Sequence, residues 1–84
     1  MWRVFVGLRD EHGDAEDVLI DVSVPDWDDA REILLFELEP FEDDECDACQ
    51  RAGAEAVADL FALEAGVGWI GEIDGNEYSM RVAG

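Results

Sequence analysis

The sequence of 84 residues predicts an α+β domain of two layers, in the order ββααββ, with a four-stranded antiparallel sheet and two helices packed on one face. Three observations predict it. Apolar residues alternate near both ends, they recur every three or four positions in the middle, and turn-forming residues separate these stretches. A chain of this length carries one core, so residues 1–84 are read as a single domain.

Trp2, Val4, Val6 and Leu8 alternate with Arg3, Phe5 and Gly7, which is strand spacing. A polar loop from Asp10 to Asp17 follows. Val18, Ile20, Val22 and Val24 then face one way and Leu19, Asp21 and Ser23 the other, completing a hairpin. Pro25-Asp26 opens a helix, with Asp26 as N-cap and Asp28 and Asp29 favouring the positive end of the helix dipole. Ala30, Ile33, Leu34 and Leu38 form its core stripe, and Pro40 ends it near Glu39.

Phe41 to Glu45 is read as a link to a second helix, in which Cys46, Cys49, Gly53, Ala56 or Val57, and Leu60 share a face. Gly66 supplies the stop. Val67–Ile73, the turn Asp74-Gly75-Asn76 and Glu77–Val82 make a second hairpin.

Charge narrows the function more than any motif does. The chain has 23 acidic residues against 5 basic ones and a formal charge of −18. Eleven of those acids lie between Asp26 and Cys49, where Arg31 is the one basic residue, so that segment alone carries −10. No basic stripe exists to neutralise phosphates, which excludes direct nucleic-acid binding, and anionic membrane surfaces are disfavoured for the same reason. A basic protein surface remains as the electrostatically favoured partner.

Asp28, Asp29, Glu32 and Glu39 fall on the flank of the first helix away from its core stripe, and Glu42, Asp43, Asp44, Glu45 and Asp47 continue the patch. These nine are the candidate partner-binding residues. Two readings fit them. A solvated face serves solubility, and an exposed row of carboxylates imitates DNA phosphates before a nucleic-acid-binding protein. All five basic residues are Arg, and Lys and Thr are absent. In composition the chain is similar to small acidic proteins of halophilic archaea and of phages of high-GC actinobacteria, which favours a phage or accessory protein of the cytoplasm. Met1–Leu8 runs into Arg9-Asp10-Glu11 with no small-residue cleavage site, so no signal peptide is expected.

No catalytic constellation emerges, and the expectation is a non-enzymatic protein without a cofactor. Cys46-Asp47-Ala48-Cys49 has the spacing of a redox or metal pair. Its acidic flank should raise both thiol pKa values, and no strand leads directly into the helix, so redox chemistry is disfavoured. Zinc wants four ligands, and only His12 stands beside Cys46 and Cys49 as a nitrogen or sulfur donor. The competing reading makes both cysteines small apolar residues on the buried helix face. Asp10, His12 and Asp14 alternate, yet a calcium loop needs Gly at its sixth position, where Ala15 stands. Phe5, Leu19, Leu35, Phe36 and Ile70 each lie opposite their element's main stripe and are candidates for a homodimer surface.

Overall fold

In the computed structural model, which describes residues 1–83, strand β1 (Trp2–Arg9) runs through the middle of one antiparallel sheet. It pairs on one side with β2 (Ala15–Val24) and on the other with β4 (Asn76–Val82), while β3 (Trp69–Ile73) pairs with β4. The spatial order is β2-β1-β4-β3, and helices α1 (Trp27–Leu38) and α2 (Asp47–Ala62) lie between the hairpins in sequence. Both pack against the sheet, as the periodicities predict. The Cα extents are 38 × 30 × 15 Å, and the thin dimension is that of two layers.

The core lies between the inner two strands and the helices. Val4 and Val6 of β1 and Tyr78 and Met80 of β4 meet Ala30, Leu34 and Leu38 of α1 and Ala56 and Leu60 of α2. Each comes from a position that the two periodicities place inward. Burying a Leu or Val side chain contributes roughly 1.5–3 kcal/mol, so this cluster is the main favourable term opposing the chain's charge.

The turns follow their chemistry. Asp74 and Gly75 both have positive φ (52° and 83°), the type I′ combination that suits a two-residue hairpin between Ile73 and Asn76. In the first hairpin, Asp10 Oδ1 accepts the backbone N–H groups of His12 and Asp14, each at 2.9 Å. That carboxylate is engaged in closing the loop and is not presented to a cation.

Four local expectations are corrected. Val6 pairs with Ile20 but Gly7 pairs with Val18, so Leu19 is a bulge residue and Val18 falls out of phase with Ile20, Val22 and Val24. Asp26 precedes α1 without a side-chain capping bond, and only its carbonyl engages, accepting from Ala30 N–H at 3.2 Å. Pro40 does not end the winding. The chain tightens into a 3-10 turn over Glu39–Asp43, where Pro40 has no N–H to lose. Phe41 of that turn lies edge-on to Tyr78, with ring centroids 6.1 Å apart, and so was misread as linker. Finally, α2 ends at Ala62, and Gly66 (φ 88°) serves the turn beyond it, where Val67 N–H bonds to Glu64 O.

Gly7 is where the bulge leaves no room. A Cβ there would overlap the carbonyl oxygen of Asp17 and crowd the Val18 backbone. Gly7→Ala is therefore expected to cost about 1–3 kcal/mol by forcing β2 away, and Leu34→Ala about 2–5 kcal/mol by opening a cavity. Urea unfolding of both variants checks the pair; a neutral Gly7→Ala would mean that the bulge is not as close-packed as described.

Candidate functional site

The helical layer presents the acids, and it does so because of what it buries. Ala30, Leu34 and Leu38 commit one side of α1 to the sheet, which turns Asp28, Asp29, Glu32, Phe36 and Glu39 outward. Glu32 and Glu39 lie four residues before and three after Phe36, so this side chain stands between two carboxylates on the helix surface. Phe36 is 71% exposed, the most exposed large apolar residue in the described chain.

Across from it, Phe61 on α2 is 66% exposed. Both aromatic residues line one open groove of about 850 Å³, with Leu35 and Val57 among its apolar walls. Four of the nine predicted carboxylates, Asp29, Glu32, Glu39 and Glu42, line the same groove. The structure thus joins a part of the acidic patch to an apolar floor.

The other five are placed differently. Asp28 approaches Arg31 at 3.6 Å. Asp44 is half-buried, and its Oδ1 accepts the backbone N–H of Cys46 at 2.8 Å. Asp43, Glu45 and Asp47 are exposed around the start of α2, outside the groove lining.

Arginines do not neutralise the groove. Arg3, Arg9 and Arg81 all lie on the opposite, helix-free face of the sheet. Arg3 forms a bidentate pair with Asp21 at 2.8 and 2.7 Å, and Arg9 and Arg81 approach Glu77 at 3.0 and 3.9 Å. The Arg3 hydrogen bonds hold the Asp21 carboxyl below the usual carboxylate range. Arg31 stacks on the Trp27 ring at 4.8 Å. Among the described residues, none of the four groove carboxylates has an ion-pair partner.

The proposed homodimer surface does not assemble from its five residues. Phe5 is only 4% exposed, since the Arg9 guanidinium lies 4.1 Å above its ring on the helix-free face. Leu35 is half-buried against the core. Leu19 and Ile70 are exposed but sit on β2 and β3, at opposite edges of the sheet. Phe36 alone belongs to a coherent apolar feature. Its counterpart Phe61 was read only as continuing its helix; the signal was its place four residues after Val57, flanking the core positions Gly53 and Leu60.

The cysteines also differ from the sequence reading. Cys46 is not a buried helix residue but the exposed N-cap of α2, and Cys49 is half-buried one turn later. His12, in the β1–β2 turn, does not join them. Among the described residues no three His, Cys, Asp or Glu side chains converge in an arrangement that could hold a metal ion. Nor is any helix long and apolar enough to cross a membrane.

No protein-family model, curated protein or solved structure matches the chain.

The uncompensated acids of the helical layer repel one another within about a Debye length at ordinary salt. Raising NaCl from about 0.05 to about 0.5 M should therefore raise the melting temperature, as followed by circular dichroism. A falling temperature would show that the ion pairs of the sheet face outweigh this repulsion.

Proposed function

We propose that this domain is a non-enzymatic binding module whose acidic groove takes a basic, amphipathic segment of another protein. The partner class that suits it best is a nucleic-acid-binding protein, with the carboxylates standing in for phosphates. The single observation that supports this reading is the meeting of Phe36 and Phe61 with Asp29, Glu32, Glu39 and Glu42 in one groove that has no arginine partner. Acidity that served solubility alone would give no reason for two exposed aromatic rings amid the charge.

Each part of the groove has a distinct task. Apolar side chains of the partner would cover Phe36 and Phe61, and aromatic residues in a desolvated centre carry a large share of binding energy. Its Arg or Lys residues would meet the groove carboxylates at the rim, fixing register and relieving repulsion present in the free domain. Asp43, Glu45 and Asp47 lie farther out and would act mainly on the rate of encounter. A second copy of the chain is a poor occupant, because it would bring another −18 of charge. A partner of this kind and the absence of a spanning helix suit a cytoplasmic setting, or the host cytoplasm for a phage protein.

The test uses a synthetic amphipathic helix peptide with Arg flanks, and then the basic proteins retained from host lysate at low salt. Affinity should fall steeply as NaCl rises from about 0.05 to about 0.5 M, and duplex DNA should compete for the retained proteins. Phe36→Ser should weaken peptide binding about tenfold or more, in line with loss of about 2 kcal/mol at an aromatic anchor. Because Phe36 is exposed, the variant's stability should stay within about 0.5 kcal/mol of the parent. The combined change Glu32→Gln, Glu39→Gln and Glu42→Gln should flatten the salt dependence. Salt-independent binding, or full affinity in Phe36→Ser, would reject the proposal.

A further inference from the structure

Cys46 enters α2 from extended backbone (φ −83°, ψ 109°), and its sulfur rather than an oxygen caps the helix, with Sγ accepting the Cys49 N–H at 3.3 Å. Its backbone is held on both sides. Asp44 Oδ1 accepts the Cys46 N–H at 2.8 Å, and the Cys46 carbonyl accepts the Gln50 N–H at 2.9 Å. Gln50 Nε2 in turn donates to the Glu42 carbonyl at 2.6 Å, tying the 3-10 turn to this first helical turn. The result is an exposed thiol fixed over unsatisfied amides, with a second thiol one turn away and half-buried.

We infer that Cys46 and Cys49 form a redox-active dithiol that exchanges with external disulfides, Cys46 being the attacking sulfur and Cys49 the resolving one. The inference does not rest on the docking reading. In the first step the Cys46 thiolate attacks one sulfur of a disulfide R–S–S–R. That S–S bond breaks, one half leaves as a thiolate and takes a proton from water, and the other half is joined to Cys46. Cys49 then releases its proton to water and attacks the Cys46 sulfur. The second half leaves as a thiol, and a Cys46–Cys49 bond forms. The protein dithiol is oxidised by two electrons, and the external disulfide is reduced to two thiols.

The environments of the two sulfurs divide these roles. Hydrogen bonds from the Cys49 thiol and from the amides of Cys49 and Ala48 hold the Cys46 thiol below its ordinary range, against the opposing charge of Asp44. The same thiol pairing, with desolvation and the negative charge of Cys46, Asp74 and Asp44, pushes Cys49 up to about 11. Charge alone predicts raised values for both. That expectation holds for Cys49 and fails for Cys46, because direct hydrogen bonds to the capping sulfur outweigh a solvent-screened carboxylate.

The surroundings also select the disulfide. Asp44, Glu45 and Asp47 adjoin the attacking sulfur, so anionic disulfides are repelled and cationic or neutral ones are admitted. This gives the site a substrate preference opposite to that of a site flanked by arginines.

The reduced full chain is incubated with cystamine (a dication), hydroxyethyl disulfide (neutral) and oxidised glutathione (an anion), and the products are read by intact mass. The expected product is an intramolecular disulfide, lighter by two hydrogens. Cystamine should react about tenfold or more faster than oxidised glutathione at low salt, with the rates converging as salt rises. Cys49→Ser should accumulate a mixed disulfide at Cys46, whereas Cys46→Ser should react far more slowly. Serine is itself a good N-cap, so the second variant keeps the helix start. Iodoacetamide should alkylate Cys46 with a pH midpoint below the ordinary thiol value of about 8.5. No intramolecular disulfide, or faster attack by Cys49 than by Cys46, would overturn the assignment.

Discussion

The contact between the apolar stripe of α1 and the two inner strands fixes everything else in this domain. Leu34 and Leu38 are fully buried with Val4, Val6 and Met80. An α-helix with one side so committed has no freedom to choose where its remaining residues point. The electrostatic surface is therefore a consequence of packing. Asp28, Asp29, Glu32 and Glu39 face water because the opposite side of the helix is held against the sheet. The same contact works against their repulsion, which rotation or detachment of the helix would otherwise relieve.

The two faces of the sheet solve different problems. One is covered by helices. The other has no covering layer, yet Phe5 is nearly inaccessible there because Arg9 lies over its ring and pairs with Glu77, while Arg3 pairs with Asp21. An arginine can cover an aromatic ring with its planar group while keeping its charge near water. Three of the five arginines are spent on this face. Their use there leaves the helical layer poor in positive charge, so the acidic groove and the covered Phe5 belong to a single partition of charge.

Much of the fold could be read directly. Alternation marked all four strands, Asp74-Gly75 marked its turn, and helical spacing marked Leu34, Leu38 and Leu60. What escaped was whatever depended on a competing contact. Leu19 is as apolar as its neighbours, so nothing in the alternation announced the bulge; Gly7, opposite it, was the available hint. Phe5 has the period of an exposed residue and is buried by a residue four positions on. Cys46 has the period of a buried helix residue, yet a position three before Cys49 is also that of an N-cap, and periodicity cannot separate the two. The nine carboxylates were placed on the correct shoulder of the molecule, but which of them surround an apolar floor depended on how α2 lies beside α1.

The groove and the thiol pair are neighbours through the 3-10 turn, and their chemistries impose different demands on the same excess of negative charge. For binding, repulsion is useful, since a partner that brings cations removes an existing cost and gains a screened but real attraction. For a nucleophilic thiolate, the same charge is adverse, and the site becomes feasible only because hydrogen bonds act at contact distance. Sulfur at an N-cap meets that condition: the amide N–H of Cys49 reaches it directly, whereas Asp44 directs its Oδ1 to the backbone of Cys46. A carboxylate engaged with a backbone donor has part of its charge offset locally. Contact geometry thus lets an acidic domain keep one thiol more acidic than its neighbour without placing any arginine beside it.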